Sequence, residues 1–209
     1  MSFTPTATQL QQLRPGDRLK YHGVEWQVTD YSTYDDPQGY QTEEWLLQSA
    51  KNAEYYLLRE VDPKKSQFVV NWYIAEEINN PHLFQPDSSE NIIPSLWQDM
   101  QQQLMLYQEL RLFNKNYYFE SQTQGTYEGD EGETARITWD YWDQAHQWNL
   151  AIEAWKNGEL HVYLTKPVNS EAFSEIKKGT GFSKKKFPLF EVVSAVVVLI
   201  VGLLLMIFG

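Results

Sequence analysis

Apolar and polar residues alternate with period two in short runs through most of the chain, and punctuation by Gly, Pro, Asn and Asp separates the runs. The turn Leu13-Arg14-Pro15-Gly16-Asp17 leads into Arg18-Leu19-Lys20-Tyr21, and His22-Gly23 predicts a tight hairpin into Val24-Glu25-Trp26-Gln27-Val28. A second hairpin through residues 35–39 enters Thr42-Glu43-Glu44-Trp45-Leu46-Leu47. Glu54–Arg59 and Gln67–Ile74 complete five strands, read as an antiparallel meander. Residues 79–94 (NNPHLFQPDSSENIIP) read as a linker. Beyond it Leu96, Met100 and Leu104 recur every fourth residue, which predicts a short helix with Ser95 as its N-cap.

The strand pattern then begins again. Leu110-Arg111-Leu112-Phe113-Asn114-Lys115-Asn116-Tyr117-Tyr118-Phe119 aligns with Leu19–Val28 at a constant offset of 91, with Asn114 in the turn position of Gly23 and Tyr117 in that of Trp26. An acidic turn from Gly125 to Gly132 follows, then runs at Ile137–Trp142, Gln147–Trp155 and Glu159–Leu164 in the order of the first half. We read an internal duplication of two antiparallel β units, each opened by a short helical turn.

One run breaks the alternation. Val192–Phe208, VVSAVVVLIVGLLLMIF, carries no charge and has no polar face. At about 1.5 Å per residue it spans about 25 Å, and Pro188 to Phe190 extend it toward the roughly 30 Å of a hydrocarbon core. The expected fold class is mainly β: two similar meander or barrel-like units and one C-terminal transmembrane helix. The expected boundaries are 1–78 for the first β unit, 79–94 for the linker, 95–167 for the second unit, 168–187 for a flexible basic tether and 188–208 for the helix.

Charge gives the anchor a direction. Residues 1–176 hold 12 Lys+Arg against 27 Asp+Glu, a net −15, whereas Lys177, Lys178, Lys184, Lys185 and Lys186 form a basic collar before the apolar run. By the positive-inside tendency the body stays in the cytoplasm, which predicts a tail-anchored, single-pass protein with the lipid bilayer as a partner. The N-terminus shows no basic region followed by an apolar one. Glu191 stands at the headgroup level; a carboxylate at the bilayer centre would cost about 3 kcal/mol. With Ser194 and Gly202 it forms the candidate contact for a partner helix, although Val198 between the two small residues weakens that motif.

The acidic body excludes nucleic acid as a partner, because phosphate contacts require a basic face. The absence of cysteine removes disulfides, thiolate metal sites and cysteine nucleophiles. None of His22, His82, His146 and His161 belongs to a metal-ligand spacing; His22 reads as a hairpin residue and His161 as a strand residue. Glu128–Glu133 has the oxygens of a calcium loop without its spacing and reads as a solvated hairpin tip. Eight tryptophans read as core. No phosphate loop, dinucleotide fingerprint or nucleophile elbow appears, so no catalytic residue, metal or cofactor is assigned.

The pattern Leu13-x-Pro15-Gly16-Asp17-x-Leu19-x-Tyr21-x-Gly23-x-x-Trp26-x-Val28, with Glu44-Trp45-Leu46-Leu47, resembles the opening of the bacterial family of domains of unknown function catalogued as DUF4178. Tyr127-Glu128-Gly129, Tyr141-Trp142 and Ile152-Glu153-x-Trp155-x-x-Gly158-Glu159 fit the remainder, so the resemblance covers most of residues 10–165. It implies no established activity and no catalytic residue. It implies envelope-stress neighbourhoods, beside small membrane proteins, band-seven scaffolds, phage-shock-type membrane remodellers and polyamine-related enzymes, and a bacterial cytoplasmic (inner) membrane. Two functions are therefore expected. The first is a membrane adaptor or scaffold that recruits a membrane-associated protein partner through an exposed apolar patch. The second is a sensing module, or a cryptic enzyme, for a cationic small molecule such as a polyamine, marked by aromatic residues beside carboxylates of perturbed pKa.

Overall fold

The computed structural model describes residues 7–35, 41–62, 69–102, 107–129 and 132–179. The protein is mainly β, with eleven antiparallel strands and two short α-helices among these residues. The described residues divide into two compact units: those from Ala7 to Glu76 joined by Lys166–Gly179, and those within Glu77–Thr165.

The first unit opens with α1 (Ala7–Gln11) and continues as β1 (Arg18–Tyr21), β2 (Val24–Asp35), β3 (Gln41–Ser49), β4 (Glu54–Asp62) and β5 (Val69–Glu77). These five strands form the expected meander, each paired with the next in sequence. His22 and Gly23 both take positive φ, 47° and 77°, the geometry that fits a two-residue turn to the twist of its strands. Trp45 is fully buried at the centre, stacked on Trp72 at 5.6 Å, and its indole N–H donates to the Leu13 carbonyl at 3.0 Å. Leu10, Leu13, Leu19, Val28 and Leu57 close around it, so α1 and the turn after it belong to the core rather than to a loose N-terminus.

The sixth strand of this unit comes from the segment expected to be a tether. β11 (Phe173–Lys177) pairs antiparallel with the free edge of β1, and Phe173 is buried against Tyr21 with ring centroids 5.0 Å apart. Residues 168–179 are therefore part of the fold. Val168 N–H donates to the Trp72 carbonyl, and Gly179 N–H and the Lys178 ammonium both donate to the Asp17 carboxylate, at 2.9 and 2.8 Å. Burial alone would raise the Asp17 pKa, but Lys178 and the N–H groups of Gly179 and Arg14 outweigh it and hold the carboxyl below its ordinary range.

The second unit runs in the order β10 (Leu160–Pro167), β9 (Asn149–Trp155), β8 (Gly132–Trp142), β7 (Lys115–Gly129), β6 (Glu109–Leu112). β7 and β8 are longer than the sequence suggested. Pairing continues through Gly125↔Arg136 to Gly129↔Gly132, so Gly125 lies in a strand and not in the acidic turn. The stretch read as a linker is also built in: Leu83 and Ile92 are buried in the core of this unit, and Phe84 bridges to Arg111 on β6. Helix α2 (Ile93–Gln102) starts two residues before the expected Ser95 cap. Its start is held by Asn91, whose side-chain oxygen accepts from the N–H groups of Ile93 and Leu83, at 3.3 and 3.0 Å. Asn91→Ala removes both acceptors and is expected to cost about 1–2 kcal/mol. Chemical denaturation of the full chain checks this, and an unchanged midpoint would show that the cap is dispensable.

The hairpins β1–β2 and β6–β7 share one register. Arg18↔Gln27 and Leu19↔Trp26 correspond to Glu109↔Tyr118 and Leu110↔Tyr117, and the register shift at Val28/Asp30 corresponds to that at Phe119/Ser121. The tips agree as well, with Phe113 and Asn114 at φ 49° and 61° where His22 and Gly23 stand in the first unit. Trp139 is fully buried opposite Gln122, as Trp45 is opposite Tyr31.

No helix of the described residues is long and apolar enough to cross a membrane. The run 188–208, Lys184, Lys185, Lys186, Glu191, Ser194 and Gly202 lie outside the described residues.

Candidate functional site

The second unit carries charge where a strand usually carries apolar side chains. Ile137, Trp139 and Tyr141 of β8, with Leu150, Ile152 and Ala154 of β9, join the apolar core. Alternation places Arg136, Thr138 and Asp140 on the opposite face, beside Asn149, Ala151 and Glu153 of β9 and His161, Tyr163 and Thr165 of β10. The register orders them in rows: Thr138, Glu153 and His161; Asp140, Ala151 and Tyr163; Trp142, Asn149 and Thr165. Every residue of β9 is buried, so this strand has no solvent face.

Glu153 is inaccessible to solvent and forms an ion pair with Arg136 at 2.9 Å. Trp155 lies beneath the guanidinium, 5.3 Å from ring centroid to the central carbon. Burial raises the Glu153 pKa, and Arg136 and His161 offset only part of that rise. Asp140 accepts a hydrogen bond from the Asn149 amide at 3.2 Å, but burial dominates and lifts its pKa to about 7. Glu120, in the irregular step of β7, is also raised by burial and stands 3.3 Å from His146. At the margin of the face His161 Nδ1 meets the Glu77 carboxylate at 2.7 Å, and that bond is the main reason its pKa is raised.

Oxygens on this face lack hydrogen-bond partners: Asp140 Oδ2, Asn149 Oδ1 and Thr165 Oγ1 are buried without one. In a low-dielectric interior such groups favour neutralisation or a bound donor or cation. The face can therefore store a proton or take up positive charge. Among the described residues no group of three or more His, Asp or Glu is placed to hold a metal ion together.

Of the site residues named from the sequence, Lys177 and Lys178 lie among the described residues, and both are outside this face. Lys177 pairs with Glu25 at 3.1 Å and Lys178 with Asp17 at 2.8 Å, so two of the five collar lysines are engaged with the β body. The sequence pattern assigns no site role to Arg136, Asp140, Asn149, Glu153 or Thr165, although Glu153 stands in the motif Ile152-Glu153-x-Trp155 that carries the family resemblance. The available signal was Asn149-Leu-Ala-Ile-Glu153-Ala-Trp155, in which a charge interrupts small and apolar residues in a strand too apolar to face water. A second feature is the β6–β7 tip. Phe113 adopts a left-handed conformation that bulky residues avoid and is 70 % exposed.

A family model described as a domain of unknown function (DUF4178) matches residues 14–170. No curated protein and no solved structure matches the chain.

Proposed function

Because the chain belongs to the domain-of-unknown-function family DUF4178, which brings no reaction with it, we propose a function from the buried face itself: a cation-sensing module, held at a membrane by residues 192–208. The observation that carries this reading is Asp140, a carboxyl sealed from solvent, with its pKa near neutrality and one oxygen unpartnered. Such a group changes charge state in response to protons or cations, and a strand buried on both faces transmits that change to the packing around it. The apolar run and the lysines before it support the membrane address, with the body on the cytoplasmic side of a bacterial inner membrane. The shared register of the two hairpins supports descent of the two units from one duplicated β unit.

The test is thermal unfolding of the full chain in detergent against a panel of sodium, potassium, magnesium, calcium and organic diamine chlorides at constant ionic strength. A rise in midpoint with at least one cation is expected, and no response to any of them would remove the reading.

The exposed, strained Phe113 favours a second reading, an adaptor that recruits a membrane-associated protein partner through the hairpin tip. Phe113→Asn places at this position a residue that tolerates left-handed backbone, and it is expected to stabilise the protein by about 1 kcal/mol. On the adaptor reading the same variant loses a partner that cross-links to the wild-type chain in its own membrane. Retention of that partner would count against the tip as its docking element.

A further inference from the structure

Resting on the cation-sensing reading, we infer that Asp140, Asn149 and Thr165 bind a monovalent alkali cation on the buried face of β8, β9 and β10. Three observations carry the inference independently of any titration. First, the residues are neighbours: Thr165 stands directly opposite Asn149 across the β9–β10 pair, and the Asn149 amide donates to Asp140 Oδ1. Between Asp140 and Tyr163 lies Ala151, whose single methyl group is the smallest side chain of the three rows. Second, all three side chains are at most 2 % exposed, and each keeps an oxygen without a partner: a carboxylate oxygen, an amide oxygen and a hydroxyl oxygen. Thr165 makes the case strongest, because its hydroxyl is fully buried and unsatisfied although a valine of the same shape would carry no such penalty. Third, the donor set is hard oxygen only, which suits alkali and alkaline-earth cations and not soft transition metals.

Charge decides between the two groups of hard cations. Arg136 pairs with Glu153 at 2.9 Å and His146 stands 3.3 Å from Glu120, which leaves Asp140 as the carboxylate of this cluster without an ion-pair partner among the described residues. A monovalent ion closes the local charge balance, whereas a divalent ion leaves a positive charge buried. The neutral oxygens of Asn149 and Thr165 then serve as ligands that add no charge. Burial also argues for a bare ion over an organic cation, since none of the three side chains presents more than a trace of surface to a larger ligand.

The experiment compares the full chain in detergent at pH 8 in NaCl, KCl or N-methylglucamine chloride at equal ionic strength, followed by thermal unfolding, for wild type, Thr165→Val and Asp140→Asn. Wild type is expected to unfold several degrees higher in NaCl or KCl than in N-methylglucamine chloride. In Thr165→Val the concentration giving half of that shift rises at least tenfold, and in Asp140→Asn the shift disappears. Should Thr165→Val fail to fold, sodium-23 linewidths of the wild-type protein, titrated with KCl as competitor, provide the same readout. If both variants keep the wild-type cation response, the ion binds elsewhere and the site is wrong while cation sensing stands. If wild type responds to magnesium, calcium or a diamine but not to sodium or potassium, the monovalent assignment fails alone. If it responds to none, a buried water satisfies these oxygens and both readings fall.

Discussion

Glu153→Leu is expected to destabilise the protein by about 3–5 kcal/mol, because it removes the carboxylate that pairs at 2.9 Å with the buried Arg136 guanidinium. Arginine does not deprotonate in proteins, so the chain has no inexpensive escape from that charge. The reciprocal change, Arg136→Met, is expected to cost less. It strands Glu153, whose pKa is already raised by burial, and the carboxyl accepts a proton and becomes neutral. The double variant replaces both members by apolar side chains of similar length and is expected to recover most of the loss, as buried ion pairs generally allow. Urea denaturation of the four proteins forms a double-mutant cycle. Equal costs for the single variants, adding without coupling in the double, would show that the 2.9 Å contact contributes nothing of its own.

The second large effect is a dependence of stability on pH that runs against the usual acid sensitivity. Asp140 has a folded-state pKa of about 7 against an ordinary 3.8, so between those values the folded chain holds a proton that the unfolded chain releases. Its contribution is complete below pH 3.8 and is lost as pH rises through about 7. Glu120 and Glu153, also raised, act in the same direction. His161, raised chiefly by Glu77, contributes below its ordinary 6.5 and loses that contribution as pH climbs past its folded value. Asp17 and Asp143 are lowered and act oppositely, losing their contribution as pH falls below 3.8. These groups therefore place the stability maximum near the ordinary carboxyl values, at about pH 4, with a decline toward neutrality.

Asp140→Asn should flatten most of the decline. Measured without alkali cations, it is expected to be more stable than wild type at pH 8 by up to roughly 4 kcal/mol, the free energy of moving one pKa from 3.8 to about 7. At pH 3.8 and below, where the carboxyl is protonated in both the folded and the unfolded chain, the two proteins should differ little. Parallel wild-type and variant curves from pH 5 to 8 would mean that the Asp140 carboxyl is not sealed from water.

How far the sequence discloses this arrangement depends on whether its signal is local. The first hairpin is local: Leu19 and Tyr21 alternate with Lys20, His22-Gly23 supplies two residues able to take positive φ, and the structure follows. The tryptophans are nearly as legible, since an aromatic between charged neighbours in a strand pattern has one side to bury, as Trp45 does. β11 is not legible. Its Phe-Ser-Glu-Ile-Lys has two apolar residues, beside lysines that resemble a membrane collar, and its partner β1 is more than 150 residues away. Alternation also misleads at the site. It treats Glu153 and Asp140 as solvent-facing because their neighbours Ile152 and Tyr141 point to the core, whereas their own face is buried as well. Covering of the second face is a tertiary property, and on that face only the small Ala151 between Asn149 and Glu153 hints at it.

The closure of β1 by β11 imposes a timetable on biosynthesis. Among the described residues the second unit is one stretch, Glu77–Thr165, and its strands can pair as soon as that stretch clears the ribosome. The first unit cannot: Arg18–Tyr21 keeps an open edge until Phe173–Lys177 has been synthesised. An exposed edge is where strands recruit the wrong neighbour. A strand made before the whole second unit is therefore finished after it, and a nascent chain stalled before Phe173 leaves that edge open to chaperones and to other copies of itself.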